Sequence, residues 1–191
     1  MSKENSKEKI LQTATALFAK QGYHATGMNQ ILKESGAPKG SLYYHFPQGK
    51  EQLAAEAVNR ITNKILQETS SVFTQSRGVL QAFEDLMDYL ATHIVALQLP
   101  PTIPLMALES PNIGDSVRKA CKECYDMRYD LFTQKLLEEY ELQEAQRYSF
   151  FLITCLEGCL MQCILDKSTR PLLLLKKELP WLFKINNESR D

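Results

Sequence analysis

The segment Gly22-Tyr23-His24-Ala25-Thr26-Gly27-Met28-Asn29-Gln30-Ile31-Leu32-Lys33-Glu34-Ser35-Gly36-Ala37-Pro38-Lys39-Gly40-Ser41-Leu42-Tyr43-Tyr44-His45-Phe46 decides the fold. Met28, Ile31 and Leu32 form a short apolar stripe at helical spacing, with Thr26 or Gly27 placed to serve as N-cap. Gly36 then stands where a left-handed residue ends a helix. Pro38 opens another helix at a position where its missing N–H is harmless. Leu42 and Phe46 lie one helical turn apart and can pack inward, which turns Lys39, Ser41, Tyr44 and His45 outward and leaves Tyr43 at the margin. Upstream, Ile10, Leu11, Ala14, Leu17 and Phe18 predict an amphipathic helix over residues 6–21 that stops at Gly22. Three short helices joined by tight turns, the third polar and aromatic on its free face, make a helix-turn-helix unit with a stabilising first helix.

The remainder of the 191 residues fits an all-α protein, with only eight Gly and eight Pro and no alternating β-branched runs. Apolar periodicity predicts a long helix from Lys50 carrying Leu53, Ala57, Ile61 and Ile65, and further helices over 80–97, 114–140, 143–166 and 171–183. Arg77-Gly78 and Pro100-Pro101 bound the first of these, and a loop with one short helix covers 102–112. The net charge of −1 conceals a polarity: residues 1–50 hold seven Lys against three Glu, a net +4, and residues 51–191 carry −5. A basic module at 1–50 on a neutral-to-acidic helical body at 51–191 is the asymmetry of a nucleic-acid or anionic-surface binder with a separate second function.

A helix about 10 Å across fits the major groove, and the small Gly40 and Ser41 would let its backbone approach base edges. Lys39 is long enough to reach a guanine edge, while Tyr43, Tyr44 and His45 offer donors suited to phosphate oxygens. Lys50 and the N–H groups that open the long helix would add a phosphate clamp. The competing reading has Tyr43 and Tyr44 covering a small core and Lys39 merely solvated.

Elsewhere the sequence offers less chemistry. No nucleophile elbow, phosphate loop or HExxH is found, so a small helical enzyme is the weakest reading, and no catalytic residue, resident metal or cofactor is expected. Cys121 and Cys124 form a CxxC inside a predicted helix, and Cys155, Cys159 and Cys163 descend one helix face. They read as buried packing residues, with a thiol or metal sensor as the alternative. His93 on its apolar helix reads as a core histidine, and Glu138-Glu139-Tyr140-Glu141 as a solvated face. The hydrophilic N-terminus lacks a secretory h-region, and the apolar run 149–165 is broken by Glu157 and Gln162, so a cytoplasmic protein with a doubly buried core helix is expected rather than a membrane span.

The run from Gly22 to Phe46, with Lys50-Glu51-Gln52-Leu53 after it, resembles the N-terminal domain of TetR-type transcriptional repressors. The resemblance implies that Lys39 and Gly40 approach bases and that Thr26, Tyr43, Tyr44, His45 and Lys50 hold the DNA backbone. Pro38 stands where a Ser often caps the recognition helix, and the turn Phe46-Pro47-Gln48-Gly49-Lys50 is one residue longer than usual. Both features are similar to the LmrA/YxaF-type subgroup, as are Ala107-Leu108-Glu109, Leu156-Glu157-Gly158 and Arg170-Pro171-Leu172.

The family implies a homodimer on a palindromic operator in double-stranded DNA, released by an effector bound in the C-terminal domain. The dimer would form through the last two helices, where Leu160, Ile164, Leu174, Leu175, Leu179 and Trp181 are the candidates. Met87, Leu90, Leu105, Met106, Tyr125, Tyr129, Phe132 and Phe151 are the candidate effector residues. Their apolar, aromatic and thioether character suits a flat, largely uncharged hydrophobic compound.

Overall fold

The structure, a computed structural model, describes residues 3–97 and 102–184, and contains nine α-helices and no strand among them. In chain order these are α1 (Lys3–Ala25), α2 (Met28–Ser35), α3 (Lys39–His45), α4 (Lys50–Gln75), α5 (Gly78–Leu97), α6 (Thr102–Glu109), α7 (Asp115–Leu136), α8 (Leu142–Asp166) and α9 (Arg170–Lys184). A single 3-10 turn, Ser110–Asn112, follows α6. The short helix expected somewhere in 102–112 is thus a two-turn helix, and Pro100-Pro101 lies outside the described residues. The helix read as 6–21 is longer, because its last residues continue past a non-helical kink at Gly22.

Chain contacts divide the molecule into two compact units. One comprises residues 1–64 and 99–126, the other 65–98 and 127–191. The cuts fall within α4 and within α7.

In the first unit Ile10, Ala14 and Phe18 of α1, Ile31 of α2, Leu42 and Phe46 around α3, and Leu53 and Ala57 of α4 are buried together. Each fully buried Leu, Ile or Phe contributes roughly 1.5–3 kcal/mol, enough to fix helices too short to persist alone. α1 packs on α2, α3 and α6. At the start of α7, Ser116 donates to Glu51 Oε1 over 2.6 Å, and a Cβ on Gly114, which takes φ 153°, would stand 2.3 Å from that carboxylate, so a side chain there would displace Glu51 and strain the backbone.

The second unit centres on an aromatic cluster. Phe83 lies 5.1 Å from both Phe73 and Phe132 and 5.9 Å from Phe183, in edge and tilted arrangements. α9 packs on both α5 and α8. A polar seam joins α7 to α8: the buried hydroxyls of Thr133 and Ser149 meet at 2.8 Å, and Arg128 pairs with Glu157. The break at Arg77-Gly78 is held by Glu139, whose carboxylate accepts from the Val79 N–H at 2.7 Å. Glu138, Glu139 and Glu141 are exposed, as a solvated face requires, and Glu139 holds this one structural bond besides.

α8 is long and apolar enough to cross a membrane by length and composition, yet a third of its most apolar stretch is buried inside the fold. Tyr148, Leu152, Leu156 and Cys163 face the interior, while Phe150, Phe151, Met161 and Leu165 are exposed. Its expected double burial is thus single within one chain. His93 also departs from expectation: it is exposed, stacked on Tyr89 with ring centroids 4.0 Å apart, one turn along its own helix.

Candidate nucleic-acid interface

Local chemistry builds the α2-turn-α3 element much as the residues suggest. Gly27 takes the extended N-cap conformation of α2, and Gly36 adopts the left-handed conformation at its C-cap, with φ 63°. Pro38 caps α3 with φ −60°, and the Ser41 N–H donates to its carbonyl at 2.9 Å. Leu42 and Phe46 are fully buried beneath α3, so the rest of the helix has one free face.

That face carries Lys39 and Gly40, both exposed, with Ser41 half-buried beside them. Tyr43 and Tyr44 are 50% and 68% exposed, too much for residues whose role is to cover a core. His45 is half-buried, its ring edge-on to Tyr44 at 4.9 Å. The longer turn after Phe46 is tied down by Gln52, which accepts from the Gln48 N–H at 3.1 Å and donates to the His45 carbonyl at 3.3 Å. A Cβ on Gly40 would meet nothing within 4 Å, so the space above this residue is open.

Thr26 and Lys50, both assigned to the DNA backbone by resemblance, sit differently. Thr26 is fully buried and its hydroxyl donates to the Gly22 carbonyl at 2.7 Å, which removes its side chain from the exposed face. Lys50 is half-buried with its ammonium 4.1 Å from the centroid of the Tyr23 ring. Burial lowers the Lys50 pKa, and the charge of Glu109 pulls it partly back. Sequence reading did not single out Tyr23 or Glu109 for this site; the one available signal was Gly22, a glycine inside an otherwise helical pattern.

The candidate effector residues are spread over both units. Met106 of the first unit and Met87 and Phe132 of the second are core residues, Phe132 within the aromatic cluster. Leu105 and Tyr125 of the first, and Leu90 and Tyr129 of the second, are half-buried. Phe151 is 46% exposed on α8. Open grooves of the second unit lie between α4 and α7, around Leu66, Ser70, Met127 and Leu131, and none of the eight candidates lines them.

Among the candidate dimer residues, Leu174 and Trp181 are exposed and Leu160, Ile164 and Leu175 are half-buried. Leu179 is fully buried in its own protomer and offers no surface to a second one, a correction to its assignment.

No disulfide joins any of the five cysteines, and no group of three or more His, Cys, Asp and Glu among the described residues is arranged to hold a metal ion. Burial, reinforced by Cys124, pushes the Cys121 thiol up to about 11, and burial raises Cys155, Cys159 and Cys163 as well. A raised thiol pKa leaves less thiolate at neutral pH, opposite to the requirement of a reactive sensor cysteine. In the native protein near pH 7, iodoacetamide should therefore alkylate Cys121 at least about a hundredfold more slowly than a free peptide thiol, as mass spectrometry of time points will show. Rapid modification at Cys121 would return the thiol-sensor reading.

The comparisons agree with this geometry. Residues 10–57 match the family model described as bacterial regulatory proteins, tetR family, and residues 79–178 match the LmrA/YxaF-like transcriptional regulator C-terminal domain. Two Bacillus subtilis proteins, the HTH-type transcriptional regulators YxaF and LmrA, are each 37% identical, over 96% of this chain and 97% and 100% of their own lengths. A TetR transcriptional regulator from Legionella pneumophila superposes with a TM-score of 0.80 at 21% identity, covering 92% of this chain and 95% of that one. The exposed recognition helix on a buried Leu42–Phe46 footing and the two matched domains converge: the chain belongs to the TetR family of bacterial transcriptional regulators, in its LmrA/YxaF-like branch, and is a DNA-binding regulator rather than an enzyme.

Proposed function

We propose that this regulator is a cytoplasmic repressor that binds a pseudo-palindromic operator as a homodimer and is released by a small hydrophobic compound. The observation that carries the reading is the free face of α3, where Lys39, Gly40, Ser41, Tyr43 and Tyr44 stand on a fully buried footing. Two such helices one DNA turn apart, roughly 34–36 Å, would meet successive major grooves. The second copy is supported by α8 and α9, whose Phe150, Met161, Leu165, Leu174 and Trp181 are large apolar side chains left exposed that a partner protomer would cover. Within the second unit, the half-buried Leu90 and Tyr129 suit contact with a hydrophobic effector better than the tightly packed Phe132 does.

Selection of duplexes from a random-sequence pool, followed by anisotropy titrations at several salt levels, tests the DNA reading. Lys39→Ala should relax base preference and cost about 1–3 kcal/mol at one base pair of each half-site. Tyr44→Phe should weaken all duplexes alike. Equal affinity of the wild type for the selected and the random duplexes would overturn operator recognition. Sedimentation equilibrium tests the dimer, with Trp181→Arg shifting the protein toward monomer.

A further inference from the structure

The kink at Gly22 gathers elements that the sequence keeps far apart. Gly22 takes φ 79° and ψ 173°, a backbone conformation that side chains disfavour. Immediately after it the Tyr23 N–H donates to Glu109 Oε2 across 3.3 Å, so the last residue of α6 is bonded to the bend of α1. A Cβ on Gly22 would point at that carboxylate from 3.5 Å and at Leu105 Cδ2 from 3.9 Å, which shows how closely α6 seats there. Thr26 closes the same knot from the other side, its N–H donating to the Tyr23 carbonyl at 3.1 Å and its hydroxyl to the Gly22 carbonyl at 2.7 Å. The Tyr23 ring so held is stacked on Phe18, 5.8 Å between centroids, and carries the Lys50 ammonium at 4.1 Å.

We propose that Glu109 is a positioning residue for the contact between Lys50 and a DNA phosphate, acting through the Tyr23 backbone and ring. The inference rests on the reading of Lys50 as a DNA-backbone contact. A lysine side chain is long and mobile, and most of its rotamers waste the charge. Lys50 is instead seated on an aromatic face, partly stripped of water, so less conformational freedom is left to lose when a phosphate arrives. The seat exists because the bend of α1 is fixed, and the bond from α6 that fixes it is the one from Glu109. No ion pair within 4 Å joins Glu109 to Lys50 among the described residues; the charge of Glu109 is felt at the ammonium from farther off, while its hydrogen bond is to Tyr23, and it is through that bond that Glu109 would position Lys50. Any event that draws the end of α6 away from Tyr23 would loosen Lys50 without touching α3.

The test uses the full-length protein and a duplex that the wild type itself selects from a random pool. Lys50→Ala should weaken binding about tenfold and reduce the salt slope by about 1. Glu109→Asp keeps the charge but is one methylene too short to reach Tyr23, and should lose about fivefold with a comparable fall in salt slope. Glu109→Gln loses the charge but retains a carbonyl oxygen able to accept from Tyr23, and should restore wild-type binding within about twofold. In a Lys50→Ala background, Glu109→Asp should cost less than about twofold more. Circular dichroism melts of each variant establish that the folded protein is being titrated. The positioning role is overturned if Glu109→Asp binds as the wild type does, if Glu109→Gln is as impaired as Glu109→Asp, or if the Asp variant loses its full fivefold in the absence of Lys50. If the wild type selects no duplex, the DNA reading fails instead.

Discussion

Gly40→Leu should separate folding from function almost completely. The substituted Cβ meets nothing in the free protein, and leucine is a better helix former than glycine, so stability should stay level or rise by about 0.5 kcal/mol in a thermal melt. Affinity for the selected duplex should nevertheless fall at least about a hundredfold, equivalent to about 2.7 kcal/mol. The reason is close approach: in the proposed complex a branched side chain between the α3 backbone and the floor of the major groove would push Lys39 off the base edge and the neighbouring hydroxyls off the phosphates assigned to them. Anisotropy titration beside the melt reads both quantities. Retained affinity would mean that Gly40 does not face DNA, and the orientation of α3 would have to be redrawn.

Glu157→Ala should produce a large loss of stability in the second unit. The Arg128 side chain is only 7% exposed and that of Glu157 20%, so the pair lies largely out of water on an otherwise apolar stretch of α8. Taking away the carboxylate removes an ion-pair partner of the guanidinium in that setting, at a cost of up to about 3–5 kcal/mol in urea unfolding. Arg128→Met combined with Glu157→Leu should recover most of this, because an apolar pair of similar volume needs no compensation for burial. A Glu157→Ala protein within about 1 kcal/mol of wild type would show the pair to be effectively solvated.

The helix-turn-helix was legible because its determinants are neighbours in sequence. Gly36 and Pro38 set the turn between α2 and α3, and the Leu42–Phe46 pair sets which side of α3 is free. What escaped depends on partners far along the chain. Tyr23 meets Glu109 across 86 residues and Val79 meets Glu139 across 60, and neither periodicity nor capping rules register such pairs. The Leu-rich start of α9 failed for a different reason. In Leu172-Leu173-Leu174-Leu175 the residues point around the whole helix, so composition cannot say which face is inward; the fold buries Leu172 and, two turns on, Leu179, and exposes Leu173 and Leu174. His93 was misread because its neighbours are apolar, although its own position lies on the watered side of α5.

The half-covered α8 has a consequence for quantity as well as shape. Phe150, Met161 and Leu165 lie bare on a single chain, and in the proposed homodimer they find cover only when a second chain arrives. Folding and assembly then draw on one equilibrium, and each tenfold dilution removes about 1.4 kcal/mol from the apparent stability of the assembled state. A cell that makes few copies of such a regulator keeps each of them more exposed to proteolysis, and operator occupancy falls more steeply than the copy number itself.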